Sequence, residues 1–392
     1  MNSDKQARYD RKVGKLLSCY LILFIINMIL QVLINIPILS DYSTYFFGCS
    51  FMVVFVALFW RYQNVIVCCF IAEVFAIILI IISIIRYPVH EDEICARCLW
   101  MVVFCVPLLV SIMKIKNISI VLFETRITCV CIIPIMAMVS VITSHQNNEA
   151  GYNMAIGYAL LFPSILCFVL GRKHIIYYVL SVLGLTCIVM YGSRGPLACI
   201  GIFVVLYFLI GKTNTRKNAL LRISIISLSI ICIIEFKKII DIVAYVSEYL
   251  NISSRTINKI VDNSMMSDSG RSRIVDRAID CINQKPLIGW GIAGDTACID
   301  QYPHRIDIEL MLDYGIIIGI VLCVCIVLLF VCSIIYDKTN RKYILVFVAC
   351  GLAPLFFSHS YISEPFFWAF IGVCIAIRNN HKVSRNMAFY GG

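Results

Sequence analysis

Long apolar segments separated by short basic clusters leave this chain one solvent in which it can fold. Of its 392 residues, 61% are hydrophobic and 14% are charged. A soluble domain carries about a quarter charged residues, so this chain could not cover its own surface in water. Lipid is the alternative, and a helix needs about 20 residues to cross the hydrocarbon core. Apolar segments of roughly that length fall at 16–38, 43–60, 64–86, 98–113, 119–142, 152–170, 174–191, 196–211, 219–236, 307–336, 342–357 and 361–377. They predict an all-α polytopic membrane protein of about twelve transmembrane helices, organised as a single membrane domain over 1–392. The first fifteen or so residues are polar and basic, and the first apolar run lacks a small-residue cleavage site, so no removable signal is expected.

The basic clusters predict the orientation. With the N-terminus inside, alternate connections carry Arg61, then Lys114 and Lys116, then Arg172 and Lys173. Lys212, Arg216, Lys217 and Arg222 follow, then Lys338, Arg341 and Lys342, and finally Arg378, Lys382 and Arg385 at the C-terminus. The short outer connections carry only Arg86, Arg97 and Arg194. That bias places both termini in the cytoplasm. It also places the large connection at 237–306 outside, where its length exempts it from the short-loop charge rule.

Composition excludes several classes. The net charge of +10 does not indicate nucleic acid, because the basic residues lie between apolar runs rather than on one soluble domain. Most of the 20 cysteines lie in apolar runs, where a thiol behaves as a small hydrophobe. Cys95 and Cys98 have C-x-x-C spacing but no second pair to complete a metal site. Cys281 and Cys298 share the large loop, and their spacing leaves pairing open. Glu73 and the Glu124/Arg126 region lie within spans, where pairing across helices would be structural. His90–Glu93 reads as a solvated acidic cluster rather than a cation site.

The remaining candidates are charges in costly places. Arg271, Arg273 and Arg277 open a predicted amphipathic helix behind a Ser269 cap, and Arg273 and Arg277 share a face. Ile274, Ala278, Cys281 and Ile282 form its apolar stripe, and Pro286 ends it. The plain alternative is a helix lying in solvent or against lipid headgroups. Gly289-Trp290-Gly291 follows as a tight turn. His304 then stands at a helix entry with Asp307 three residues on, an acid placed to fix the ring tautomer, against the plain alternative of an unremarkable surface histidine. Arg194 interrupts two apolar runs, where it serves either as an interfacial anchor or as a fork of donors for an anion such as phosphate.

Taken in order, these segments resemble the O-antigen polymerase and O-antigen ligase superfamily of bacterial membrane glycosyltransferases. Gly192-Ser193-Arg194-Gly195 resembles the family's S-R-G segment. Gly270-Arg271, followed by Pro286-Leu287-Ile288-Gly289-Trp290-Gly291, resembles its G-R and P-L-x-G-x-G. His304, Glu309, Asp313, Tyr314, Gly315 and Gly319 resemble its histidine, acid and Y-G pattern. Tyr152-Asn153 and Ser358-His359-Ser360-Tyr361 are further echoes. Arg305 stands where the ligase-like pattern has asparagine, which turns the reading toward the polymerase branch.

The resemblance implies a GT-C-like membrane enzyme of the bacterial cytoplasmic membrane. Its expected reaction is polymerisation of polyprenyl-diphosphate-linked repeat units into O-antigen or capsular polysaccharide on the outer face. Arg194 and Arg271 are expected to hold the diphosphate, with Arg273 as alternate, and His304 to act as base toward the acceptor hydroxyl. Arg277, Tyr152, Asn153, Asp307, Glu309 and Tyr361 are expected around the substrates. Cationic side chains can replace a divalent metal, so no metal or cofactor is expected. Expected partners are the lipid-linked donor and acceptor, membrane lipid, a chain-length regulator and a flippase. The rival readings are ligase-type transfer to another acceptor and a lipid-linked oligosaccharide flippase. The flippase should show midplane charges and internal repeats; this sequence has few of the first and no visible second.

Overall fold

A computed structural model describes residues 3–34, 37–146, 154–191, 194–210, 271–299 and 301–390. Their regular structure is helical, with no strand among the described residues. In chain order the helices are α1 (Ser3–Ile34), α2 (Pro37–Phe59), α3 (Gln63–Arg86), α4 (Glu91–Trp100), α5 (Val106–Ile112) and α6 (Ile118–Glu124). Then come α7 (Arg126–Gln146), α8 (Met154–Leu170), α9 (Ile175–Tyr191) and α10 (Arg194–Ile210). The large loop contributes α11 (Arg271–Gln284) and α12 (Gly294–Ile299), followed by α13 (Ile306–Tyr314), α14 (Ile316–Tyr336), α15 (Arg341–Phe347) and α16 (Pro365–Tyr390). The chain divides into two compact units. One gathers Met1–Asn27, Ile36–Thr125 and Asp268–Gly392, and the other Met28–Asn35 and Arg126–Ser267.

Among the described residues, four helical stretches are long and apolar enough to cross a membrane: Ser3–Leu30, Gln63–Arg86, Pro88–Ile112 and Ile316–Tyr336. A fifth is added if α6 and α7, broken at Thr125, count as one span. Shorter apolar helices accompany them, including Tyr45–Phe59, Met154–Leu170, Ile175–Val189 and Gly195–Ile210. Among the described residues these helices make a helical membrane protein with several spans, not a count of about twelve, and the expected span at 219–236 lies outside the described residues.

Two expected spans are not continuous helices. The segment 307–336 breaks at Gly315 into α13 and α14. The segment 342–357 is helical only as far as Phe347 and then passes through a π-turn at Val348–Leu352 and a tight turn at Ala353–Phe356. The other π-turn, Met101–Cys105, joins α4 to α5. Each π-turn ends two residues before a proline, Pro107 or Pro354. A proline cannot donate to the preceding turn and its ring crowds that carbonyl, so the helix widens just ahead of it.

In the first unit the core is aromatic and aliphatic. Tyr9, Leu16, Leu17, Phe51, Phe55 and Phe59 are buried, and Tyr20 packs edge-on against Phe51, Phe104 and Phe366. By contrast, α3 and α14 leave Phe70, Ile71, Phe75, Ile78, Ile82, Val321, Val324 and Leu328 exposed. An apolar surface of that extent would be untenable in water and suits a lipid-facing flank. In the second unit, α8 is buried along most of its length, and the Ser181 hydroxyl of α9 donates to the Ser164 carbonyl of α8 at 2.9 Å. Phe168, Tyr178, Phe203 and Tyr207 cluster beside it.

The break at Gly315 positions the site. Gly315 has φ 82° and ψ 165°, a region essentially reserved for glycine. Gly289 has φ 69° in the facing turn. The backbone N–H groups of Trp290 and Gly291 donate to Leu312 and Asp313 carbonyls, each at 2.8 Å, and Ile316 donates to Pro286 at 2.7 Å. A side chain at Gly289 would come within 2.5 Å of the Asp313 carbonyl, and one at Gly315 would strike the Leu287 carbonyl. The P-L-x-G-x-G and Y-G segments are thus two halves of one backbone junction. We predict that Gly315→Ala lowers the thermal unfolding midpoint of the solubilised protein, at a cost of at least about 1–3 kcal/mol from the backbone alone. Gly201→Ala, where a methyl meets nothing within 4 Å, should leave that midpoint unchanged or raise it.

Candidate active site

The junction delivers α13 to the centre of the first unit with two buried faces. Ile308 and Leu312 pack against Ala278, Cys281 and Ile282 of α11 and Ile299 of α12. This is where the apolar stripe of the arginine-bearing helix goes: it packs onto protein rather than onto solvent or headgroups. Cys281 and Cys298 form a disulfide tying α11 to α12. The adjacent face of α13 carries Glu309 and Asp313, one helical turn apart and fully buried.

Burying two carboxyls side by side is costly, and Arg97 of α4 brings a cation to them. Its guanidinium donates to Asp295 through two nitrogens, at 2.6 and 3.0 Å. It also donates to the Thr296 hydroxyl at 2.6 Å, the Ser360 hydroxyl at 3.0 Å and Glu309 at 3.4 Å. The Ser360 hydroxyl donates to Glu309, and the Tyr361 backbone N–H reaches the other Glu309 oxygen at 3.4 Å. The Tyr361 hydroxyl donates to Asp313 at 2.6 Å and lies 3.0 Å from the Tyr314 hydroxyl. One side chain thereby joins α4, α12, α13 and the 357–364 segment. α13 lies outside the membrane-crossing helices, and there burial first and the charge of Asp295 second push the Glu309 and Asp313 carboxyls upward. Both carboxyls therefore hold their protons more tightly than they would in water.

His304 stands beside this knot. Its backbone is left-handed, with φ 57°, an uncommon conformation for a residue with a side chain. Its ring packs edge-on against Tyr302 at 4.4 Å, and the Tyr302 hydroxyl donates to the Ser358 carbonyl at 2.6 Å. Arg97 lies 5.8 Å from the face of the Tyr302 ring. Among the described residues, the buried Nδ1 of His304 has no hydrogen-bond partner. Burial, and then the charge of Arg271, hold the His304 imidazole down at about 4, so it is neutral at pH 7. His359, 3.7 Å from Glu364, is likewise held at about 4, by burial and then by His304.

The structure sorts the expected site residues. His304, Glu309 and Tyr361 gather in the first unit, and Arg271 stands within electrostatic reach of His304 while itself exposed. Arg273 and Arg277 are exposed on α11. Asp307 does not orient His304. It pairs with Arg305 at 2.5 and 3.2 Å, because a residue at the start of α13 meets the chain just before it. Glu73 accepts from Cys69 of its own helix rather than from another span. Arg194 opens α10 of the second unit, at a helix end as expected. Tyr152 and Asn153 lie outside the described residues, as do Ser269 and Gly270.

Asp295 and Thr296 carry no signal in the sequence, and Arg97 and Ser360 enter it only as a connection charge and as part of a motif echo, not as site residues. Arg97 reads as an ordinary loop charge, although an arginine at the head of a long apolar stretch already calls for a buried partner. A membrane-embedded helical protein with a cationic and imidazole site on its large loop is the class these features define. Residues 179–323 match the family model described as O-antigen ligase, in line with the superfamily that the motifs resemble. The match spans Arg194, Arg271, Asp295, His304, Glu309 and Asp313, while Arg97, Ser360 and Tyr361 lie outside it. No curated protein and no solved structure matches the chain.

Removing one partner of a buried ion pair strands the other, at a cost of about 3–5 kcal/mol. We predict that Arg97→Ala lowers the unfolding midpoint strongly and Arg97→Lys lowers it nearly as much, since an ammonium cannot supply the forked donors. Thermal unfolding of the solubilised variants checks this, with exposed Arg273→Ala as the control that should not change.

Proposed function

We propose that this protein is a membrane glycosyltransferase that polymerises polyprenyl-diphosphate-linked oligosaccharide repeat units. The family match supports membrane glycan handling of the O-antigen ligase and polymerase kind. The observation that carries the catalytic reading is His304: a strained, neutral imidazole with an unpartnered buried nitrogen beside the exposed cation Arg271. Strain of that kind is retained where surrounding structure over-determines it, and it clusters at working sites.

In the proposed step the acceptor sugar hydroxyl attacks the anomeric carbon of the donor. Its proton passes to the neutral His304 imidazole as the new glycosidic C–O bond forms. The bond to the carrier breaks, and the lipid diphosphate leaves with the electron pair. Arg271 neutralises the charge that develops there, and the phosphate-binding role expected of Arg194 is proposed on its own account. Arginine keeps its charge beside a membrane and grips phosphate through two donors. These cations take the role that a divalent ion plays elsewhere, so the proposed reaction needs none. The Cys281–Cys298 disulfide supports an oxidising, non-cytoplasmic location for the loop. Ligase-type transfer to a different acceptor is the second reading, favoured by the description of the matching family. A chain-length regulator and a flippase are proposed partners, and the bacterial inner membrane the proposed location.

Arg271→Ala and Arg194→Ala should each abolish polymer in cells while the protein still inserts into the membrane. Full-length polymer made by both variants would sink the assignment. His304→Ala should lower turnover about 10²- to 10⁴-fold, the usual worth of a positioned base. The pH profile tests the base separately. A neutral imidazole held at about 4 stays unprotonated as pH falls from 7 to 5, so kcat/KM should persist there and drop only through about pH 4. An acid limb centred near 6–7 would contradict His304 as that base.

A further inference from the structure

We infer that the Pro286–Trp290 turn of the large loop is a membrane anchor whose Leu287 and Ile288 side chains insert at the headgroup–acyl boundary of the bilayer. The turn presents its most apolar residues outward: Leu287 is 68% exposed and Ile288 74%. In a loop surrounded by water that exposure would be a liability.

The turn is held between the ends of two membrane-crossing helices. On one side, the Ile316 N–H that starts α14 donates to the Pro286 carbonyl at 2.7 Å. On the other, Lys285 donates to the Tyr87 hydroxyl at 3.0 Å, and Tyr87, directly after α3, stacks on Trp290 at 5.8 Å. The end of α3 and the start of α14 therefore lie on the same face of the membrane, at the level of this turn. Both helices present apolar flanks to lipid up to those ends. Ile85 is 75% exposed, and Val89 just beyond it 90%, while Ile317 and Ile318 are exposed at the start of α14. Leu287 and Ile288 continue that surface.

Around the apolar tip sits the side-chain set that marks a membrane–water interface. Tyr87 and Trp290 supply amphipathic rings, and the Trp290 indole N–H is satisfied by the Cys281 carbonyl at 2.9 Å. The Lys285 ammonium lies 3.6 Å from the Trp290 ring centroid, and the Arg86 guanidinium 5.6 Å from that of Tyr87. Such cations, carried on apolar stems, suit the headgroup layer and its anionic lipids. The anchor is independent of the proposed reaction.

Photocrosslinking of the full-length protein tests the inference. Photoreactive p-benzoylphenylalanine at position 288 is compared with the same probe at Ile82, on the lipid-facing flank of α3, and at Asp280, exposed on α11. The protein is reconstituted in vesicles of phosphatidylethanolamine and phosphatidylglycerol and then illuminated. Phospholipid adducts at position 288 comparable to those at Ile82, and about tenfold above those at Asp280, are expected for a residue at the acyl boundary. Lipid adduct at position 288 no higher than at Asp280 would overturn the anchor, as would an adduct to protein in place of lipid. The probe at position 287 should repeat the result; a water-like yield at both positions counts against the inference even if one probe perturbs the turn.

Discussion

The Arg97 guanidinium is the interaction on which the first unit turns. It is one of few strong charges in a stretch of chain that otherwise reads as lipid-soluble, and burying it is costly unless donors and charge are both answered. Asp295, Thr296, Glu309 and Ser360 answer them from three other parts of the chain. The same contacts make the inward face of α13 tolerable. Without the cation, Glu309 and Asp313 would be carboxylates buried on the side of a short helix, and α13 would have reason to turn away. His304 follows from this arrangement, because α13 begins two residues after it and Tyr302 is pinned to the Ser358 carbonyl beside Ser360.

Backbone chemistry sets the other half of the geometry. A continuous helix through 307–336 would carry Glu309 and Asp313 along the axis of α14 and away from Arg97. Gly315 and Gly289 prevent this by letting two stretches of main chain approach to hydrogen-bonding distance. The junction turns α13 aside, so that acids sit at the membrane border while α14 keeps an apolar surface. The disulfide between α11 and α12 adds a covalent tie on the opposite side of α13 and holds the arginine-bearing helix against it.

Much of this was legible in the sequence, and the misses have physical causes. Apolar length and basic flanks gave the helical membrane class, since lipid imposes those constraints on any chain. The stripe Ile274, Ala278, Cys281 and Ile282 gave a true buried face of α11, but periodicity says only that a face is apolar, not whether protein or lipid covers it. Spacing suggested that Asp307 serves His304, yet Arg305 was nearer along the backbone and took the carboxylate. The partnership of Arg97 with Asp295 was invisible because the two are 198 residues apart. The break at Gly315 is masked in the sequence because the apolar run continues through it, although a Tyr-Gly pair facing a Gly-Trp-Gly turn is a fair signal of a backbone junction.

The chemistry proposed for the site asks for a neutral base, cations for a departing diphosphate and a border between lipid and water. His304 and Arg271 supply the first two, and the loop seated between α3 and α14 supplies the third. The most direct measurement is reconstitution of the purified full-length protein in vesicles with lipid-linked oligosaccharide repeat units as the only glycan. Products lengthening by whole repeat units, with release of the lipid diphosphate, are the predicted result. Recovery of the lipid-linked unit unchanged, whether or not it has crossed the bilayer, would contradict the account.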